Sequence, residues 1–224
     1  AEHQDTAHRI ASEEEALAVA RTLAADFASG ASRRDYERAL PHVELDRLSA
    51  SGLLAITVPA EYGGIDVSNA VLAEVTAIIS EADSSIGQIP QNHFYILEAL
   101  RHDGSEVQKR FYFGRALAGD RFGNALSEVG TKTVGNYNTR ITRDGAGFRI
   151  NGRKFYSTGV LFAHWVAIFA LDEEDRLTMS FAPRQTEGIE IVDDWDGFGQ
   201  RTTGSGTTIL HDVYVPADAV VPRQ

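Results

Sequence analysis

The chain has 224 residues, of which 43% are hydrophobic and 24% charged, and its formal net charge is −11 at pH 7. Nucleic acid and anionic membrane surfaces are bound through a basic face, so this charge argues against both as partners. The sequence contains no cysteine, which excludes disulfides and thiolate chemistry and fits a reducing cytoplasm.

The first 120 residues follow the apolar spacing of helices. Residues 1–11 are predicted to be a loose tail without the apolar core of a signal peptide, and no stretch reaches the roughly 18 apolar residues of a membrane span. We therefore expect a soluble, cytoplasmic protein. Ser12 followed by Glu15 indicates a capping box for a helix that runs to Gly30. Later helices are predicted over 35–40, 43–50, 68–82, Ser84 or Ser85 to Gly104, and 105–118, with a buried connection at 53–64.

From Arg121 the pattern changes to alternation with period two, interrupted by turn signals. Those signals are Asp144-Gly145, Asn151-Gly152 and the acidic run 172–176. Strands are predicted over 121–127, 138–143, 147–151, 153–157, 164–171, 176–182, 188–192 and 207–215. Short strands with tight turns favour a small antiparallel barrel or sandwich. The predicted fold class is α+β, with an N-terminal all-α domain at 1–120 and a β domain at 121–224.

The stretch from Gly123 to Thr158 contains the candidate site. Asn-Gly between alternating runs is the strongest short-range hairpin signal, because both turn residues need positive φ. A hairpin that turned at Asn151-Gly152 would bring the polar segments 124–133 and 156–158 close together. We therefore expect a surface that can hold a flat ring with polar edges.

Several motifs then occur in a fixed order: SEVGTKT from Ser127, GFRINGRKFYSTG from Gly147, GFGQRTTGSGT from Gly197 and DVYVP from Asp212. Together with AEYGG at 60–64, they resemble the acyl-CoA dehydrogenase superfamily over about residues 44–224. The resemblance implies that family's helical N-terminal domain and middle β domain. The family's C-terminal four-helix bundle has no counterpart here, so the chain is expected to be a fragment.

Departures from the dehydrogenase pattern imply a particular branch of that family. The dehydrogenase segment T-E-P-x-x-G-S-D reads SEVGTKT here, while GNALSE and FYSTG look more like the flavin monooxygenase branch. That resemblance implies FMN in its reduced form (FMNH2), supplied by a separate NAD(P)H-dependent flavin reductase. With O2 it would oxygenate a small organosulfur compound for sulfur acquisition, through a flavin C4a-(hydro)peroxide. It also implies a homo-oligomer, a tetramer in the full-length form. The alternatives are an FAD-dependent acyl-CoA dehydrogenase and a truncated, non-catalytic flavin-domain fragment.

The same resemblance implies roles for individual residues by motif position. Asn124 and Thr158 would face the flavin as neutral hydrogen-bond donors, and His93 would line the substrate side. These three are the candidate catalytic residues. Cofactor binding is implied for Ser127, Glu128, Tyr156, Ser157, Thr158 and Trp195, and the loop after Trp195 holds Arg201, Thr202, Thr203 and Ser205.

These residues also have purely structural interpretations, which the sequence leaves open. Asn124 can cap a strand end, and Thr158 can satisfy a turn. Tyr156 and Trp195 can be core or rim aromatics. A histidine on an apolar helix face, as at His93, is often buried and satisfied by the protein itself. No spacing of His, Asp and Glu predicts a metal site.

Overall fold

Helices occupy the first half of the chain in the computed structural model, which describes residues 7–133 and 135–222. Their bounds are α1 Glu13–Ala28, α2 Ala31–Glu37, α3 His42–Ala50, α4 Asn69–Ala82, α5 Ser84–Gln88, α6 Pro90–Asp103 and α7 Glu106–Leu117. Short 3-10 turns at Leu53–Ala55 and Ala60–Tyr62 lie in the predicted connection, and the apolar part of that connection is buried as expected. The predictions of α1, α3, α4 and α7 are confirmed to within two residues at each end.

The approach to α1 is packed against the protein. Ser12 Oγ accepts a hydrogen bond from the Glu15 backbone N–H at 3.1 Å, which is one half of the predicted capping box. The Glu15 carboxylate instead contacts His8 Nε2 at 2.6 Å, and Ile10 is buried in the helical core. The prediction of a loose tail is therefore wrong from His8 onward, while residues 1–6 lie outside the described residues.

Two helix boundaries differ from the prediction for backbone reasons. The helix predicted over 84–104 is divided into α5 and α6, because Pro90 has no N–H to donate and begins a new helix instead. The helix predicted over 35–40 begins earlier, as α2, and ends before Arg38, which has a left-handed φ of 51°.

The second half of the chain forms an eight-stranded sheet within the described residues. The strands are β1 Phe122–Ala125, β2 Arg140–Asp144, β3 Gly147–Lys154, β4 Trp165–Leu171, β5 Leu177–Pro183, β6 Ile189–Val192, β7 Thr207–Pro216 and β8 Val220–Pro222. Their order is β6-β7-β3-β2-β4-β5-β8, and β1 pairs with β4. The α+β class is confirmed. The sheet is mixed rather than purely antiparallel, since β1 runs parallel to β4 and β2 meets β4 in parallel.

The predicted hairpin turn at Asn151-Gly152 is wrong. The turn joins β2 to β3 at Gly145, where Asp144 pairs with Gly147, and β3 continues through Asn151 to Lys154. Opposite Asn151 the register with β7 shifts, because Asp212 forms a bulge with φ of 52° and donates its N–H to Asn151 Oδ1 at 2.9 Å. The Asn side chain therefore satisfies a bulge in the neighbouring strand.

An apolar cluster between α6, α7, β1, β4 and β5 joins the two halves of the chain. The Tyr112 ring of α7 stacks on Phe181 of β5 at a centroid distance of 4.0 Å, and Phe122 of β1 packs edge-on against both rings. Aromatic pairs of this kind add about 0.5–1.5 kcal/mol beyond their area burial. This cluster holds β1 against α6 and so positions the residues that follow.

Candidate functional site

β1 and the segment after β3 come together where the sheet meets α6. The Asn124 backbone N–H donates to the Thr158 carbonyl at 3.3 Å, and the Phe155 N–H donates to the Ser127 carbonyl at 2.8 Å. Gly123 permits this approach, because a Cβ built on it would lie 2.5 Å from the facing backbone. The two polar segments that we expected to be neighbours are therefore in contact, although no hairpin turn joins them.

The Asn124 side chain carries an unsatisfied acceptor. Strand alternation places it on the same face of β1 as Phe122, which packs against the helices. The residue is 6% exposed, and its Oδ1 has no hydrogen-bond partner among the described residues. Ser157 Oγ is likewise buried without a described partner. Since buried polar atoms are nearly always paired, these two oxygens lack the donor that such atoms normally have.

A chain of buried hydroxyls connects Thr158 with the loop after β6. Thr158 Oγ1 lies 2.7 Å from Ser205 Oγ, which donates to Thr203 Oγ1 at 2.8 Å. Thr203 Oγ1 donates in turn to the Gln200 carbonyl at 3.2 Å. On the other side, Asn92 Nδ2 of α6 donates to the Thr158 carbonyl at 3.4 Å. Thr158 is therefore held between the helical half and this loop.

Trp195 lies in the same loop, which is fastened to the helical half. Its Nε1 donates to the Gln200 carbonyl at 3.0 Å, and Arg38 Nε donates to the Trp195 carbonyl at 3.2 Å. Arg38 also forms an ion pair with Asp193. The Tyr156 ring meets the Trp195 ring edge-on at a centroid distance of 6.4 Å, and Tyr156 is exposed with φ of 55°. Two of the predicted cofactor-binding aromatics thus lie side by side at an open edge of the molecule.

The Glu128 carboxylate has a structural function. It accepts from Lys154 Nζ at 2.8 Å, from Thr139 Oγ1 at 2.7 Å and from the Asn138 N–H at 2.7 Å. The Glu128 side chain is 4% exposed and the Lys154 side chain 0%. Burial lowers the pKa of Lys154 to about 8. Burial raises the pKa of Glu128, but its hydrogen bonds from Lys154, Thr139 and the backbone outweigh that effect and leave it lowered. The Glu128 carboxylate is therefore engaged by protein groups, and contact of the cofactor with the segment Ser127–Glu128 stays a prediction.

His93, which the family resemblance places on the substrate side, is built into the frame of the site. Phe122 N–H donates to Nδ1 at 3.1 Å, so the proton is on Nε2, which donates to the Leu54 carbonyl at 2.7 Å. Both ring nitrogens are occupied and the residue is 2% exposed. Burial lowers the pKa of His93 to about 4. The ring is therefore a neutral bridge between α6, the turn at Leu53–Ala55 and β1.

The sequence analysis did not single out Lys154 or Asn92, although the position of each in its strand or helix predicts a buried polar side chain. Lys154 and Ile150 are an even number of residues apart on β3, so both side chains point to the same, inward face. Strand alternation alone therefore places a lysine in the interior. Asn92 precedes His93 in the first turn of α6 and is a polar residue on a buried helix face. A buried lysine needs an acidic partner, and the partner here is Glu128, which lies 26 residues earlier in the chain.

Among residues 7–133 and 135–222, no group of three or more His, Cys, Asp or Glu side chains is placed to hold a metal ion. None of the helices in this part of the chain is both long enough and apolar enough to traverse a bilayer.

The helical half matches a known family. A family model described as "Acyl-CoA dehydrogenase, N-terminal domain" matches residues 11–120, a range that includes α1 to α7. The chain belongs to the acyl-CoA dehydrogenase superfamily. The fold described above is thus that of this superfamily, with Asn124, Thr158 and the Trp195 loop on the β half.

Within the superfamily, the chain is similar to several monooxygenases. It is 30% identical over 227 residues to dibenzothiophene monooxygenase of Rhodococcus erythropolis, covering 98% of this chain and 54% of that protein. It is 30% identical over 203 residues to the probable FMNH2-dependent monooxygenase SfnC of Pseudomonas putida, covering 89% and 50%. FMN-bound TdsC from Paenibacillus sp. A11-2 has a TM-score of 0.85 at 29% identity, covering 92% and 53%. The chain spans about half the length of the curated relatives that it matches.

Proposed function

We propose that this chain forms the flavin-binding part of an FMNH2-dependent monooxygenase that oxygenates an organosulfur compound. The observation that carries the proposal is the pair of neutral side chains at the site, Asn124 and Thr158, in a chain whose relatives include a dibenzothiophene monooxygenase and a probable FMNH2-dependent monooxygenase. The similarity of the fold to FMN-bound TdsC supports FMN as the cofactor. An NAD(P)H-dependent flavin reductase would supply it in reduced form.

The residues present fit a flavin. The orphaned Oδ1 of Asn124 needs a donor, and the isoalloxazine ring carries N–H groups at its edge. Asn124 and Thr158 would hold the polar edge, the backbone of Ser127 would contribute a further contact, and Tyr156 with Trp195 would cover the open side. Bound FMNH2 would supply the electrons with which one oxygen atom of O2 enters the substrate and the other leaves as water. The protein's contribution is to orient the ring and to exclude water from it.

The rival activity is that of an FAD-dependent acyl-CoA dehydrogenase, whose chemistry requires a free carboxylate base. The carboxylate in the site segment, Glu128, is already bound by Lys154 and Thr139. Asp120, just before β1, accepts from Arg115 and from the Trp165 indole. Among the described residues, these two carboxylates are thus engaged by protein groups, while the neutral pair Asn124 and Thr158 is compatible with oxygen transfer. The second rival, a non-catalytic fragment, is distinguished by its failure to bind FMN.

Asn124→Ala is expected to lower oxygenation by ~10²-fold, because it removes a preorganised polar group from a buried site. The measurement is turnover of dibenzothiophene by the protein expressed over its whole reading frame, with photochemically reduced FMN and O2. Asn69→Ala, at the exposed first position of α4, is the matched control and should retain wild-type turnover. Equal turnover of the wild type and Asn124→Ala would remove Asn124 from the mechanism.

A further inference from the structure

We propose that Arg38 is a positioning residue that holds Trp195 at the open side of the site, and that this tether keeps water out of the site during oxygen transfer. The inference rests on the proposed function, because it concerns the cover of the same site. Arg38 follows α2 in the helical half of the chain, and Trp195 lies in the loop between β6 and β7. The tether therefore joins the two halves of the chain at this edge.

The Arg38 side chain is directed into that loop. Its Nε donates to the Trp195 carbonyl at 3.2 Å, and its Nη1 donates to Asp193 Oδ2 at 3.1 Å. Its Nη2 donates to the other oxygen of the same carboxylate. Within the described residues, the hydrogen bonds of this side chain all go to the loop. A pair of parallel hydrogen bonds between arginine and a carboxylate fixes orientation as well as distance.

The backbone of Arg38 does not by itself favour an arginine. Its φ of 51° lies in the left-handed region at the end of α2, where glycine is the usual residue because it has no Cβ to clash. A residue in such a rarely populated region persists only where the surrounding structure fixes it, and such residues cluster at functional sites. The hydrogen bonds to Asp193 and Trp195 give a reason for an arginine at this position.

Two further residues that contact Trp195 have the same unusual backbone. Gln200 has a φ of 47° and accepts the Trp195 indole N–H at 3.0 Å. Tyr156 has a φ of 55°, and its ring meets the Trp195 ring edge-on at a centroid distance of 6.4 Å. Six non-glycine residues of the described part of the chain have positive φ, and three of them contact this tryptophan. Backbone strain gathered around one side chain indicates that the position of that side chain matters to the site.

The carbonyl that binds the Trp195 indole is also connected to Thr158. The Gln200 carbonyl accepts from Thr203 Oγ1 at 3.2 Å. Ser205 Oγ links Thr203 Oγ1 to Thr158 Oγ1, at distances of 2.8 Å and 2.7 Å. Trp195 is half-buried, so its release would open this loop to water. Water in the site would favour the side reaction in which reduced FMN and O2 give oxidised FMN and hydrogen peroxide.

The test compares three substitutions of Arg38 in the protein expressed over its whole reading frame. Glycine takes up a left-handed φ without strain, so Arg38→Gly removes the tether and preserves the turn. Arg38→Met removes the charge and keeps an unbranched side chain. Arg38→Lys keeps the charge without the paired hydrogen bonds, so it should restore part of the effect. The matched control is Arg47→Met, which removes an exposed ion pair with Asp26 between α3 and α1 and should behave as the wild type.

The first measurement is the accessibility of the Trp195 ring. Acrylamide quenching of each protein, compared with the same protein carrying Trp195→Phe, isolates the fluorescence of this ring by difference. Loss of hydrogen bonds to a charged group should raise the population of the released loop by at least about tenfold. The quenching constant of Trp195 should therefore increase in Arg38→Gly and Arg38→Met. An unchanged quenching constant in both variants would overturn the inference, whatever their activity.

The second measurement is the ratio of sulfoxide to hydrogen peroxide formed from dibenzothiophene, reduced FMN and O2. We expect this ratio to fall by about tenfold in Arg38→Gly and Arg38→Met, and to recover in part in Arg38→Lys. A wild-type ratio in both Arg38→Gly and Arg38→Met would overturn this inference and leave the proposed function standing. Absence of any oxygenated product from the wild type would instead overturn the proposed function, and the inference with it.

Discussion

Lys154→Met is expected to lower the free energy of unfolding by about 3–5 kcal/mol, because it leaves the Glu128 carboxylate buried without its cation. The lysine also donates to the Leu126 carbonyl at 3.1 Å, so a second buried acceptor loses its partner. Urea unfolding of the wild type and the variant measures the difference. Since Glu128 binds Thr139 and the Asn138 N–H, we expect the segment between β1 and β2 to loosen first.

A variant of the neighbouring residue and a double variant distinguish the cost of an unpaired buried charge from the cost of losing a side chain. Arg153→Met changes the preceding, exposed residue of β3 and should cost no more than about 1 kcal/mol. The double variant Lys154→Met/Glu128→Gln removes both charges and should recover part of the loss. Equal losses in Lys154→Met and Arg153→Met would contradict the account of a buried ion pair.

The second large effect is a dependence of stability on pH that originates at His93. Burial holds its pKa at about 4 in the folded state, below the ordinary value of 6.5. As pH falls, the unfolded chain therefore takes up this proton first. The stability associated with neutral His93 is complete above pH 6.5 and is lost progressively toward pH 4, by about 3 kcal/mol in total.

Urea unfolding between pH 7 and pH 5 should reveal about 2 kcal/mol of that loss, in a range where most carboxylates stay ionised. In His93→Gln the titrating group is absent, so this part of the slope should disappear even though the variant is less stable at pH 7. The difference between the two curves isolates the contribution of His93. Parallel curves for wild type and variant would show that His93 does not resist protonation in the fold.

The sequence predicts the class of fold well because apolar periodicity is a local signal. The predicted hairpin turn at Asn151-Gly152 is wrong because the same Asn-Gly pair occurs both in hairpin turns and beside bulges. The choice depends on Asp212, whose N–H binds Asn151 Oδ1 from 61 residues away. By contrast, the start of a new helix at Pro90 can be predicted from the sequence, since a proline inside an apolar helical pattern commonly begins a new helix.

The site shows the same division between local and distant signals. The polar segments around Asn124 and Thr158 can be recognised from their composition, and they are in contact in the structure. The hydrogen bond of Thr158 Oγ1 cannot be read locally, because its partner, Ser205 Oγ, lies 47 residues later. The burial of His93 cannot be read locally for a related reason. Its two partners, Leu54 and Phe122, belong to other elements and are invisible in the sequence of α6.

The central claim is that this chain belongs to an enzyme that transfers an oxygen atom from O2 to a sulfur compound. The most direct test is a single turnover under ¹⁸O2 with photochemically reduced FMN, dibenzothiophene and the protein expressed over its whole reading frame. We predict that the sulfoxide product carries one labelled oxygen atom, accompanied by one oxidised FMN. Unlabelled dibenzothiophene with all of the O2 recovered as hydrogen peroxide, together with a tightly bound FAD that an acyl-CoA reduces, would contradict the claim and indicate a dehydrogenase.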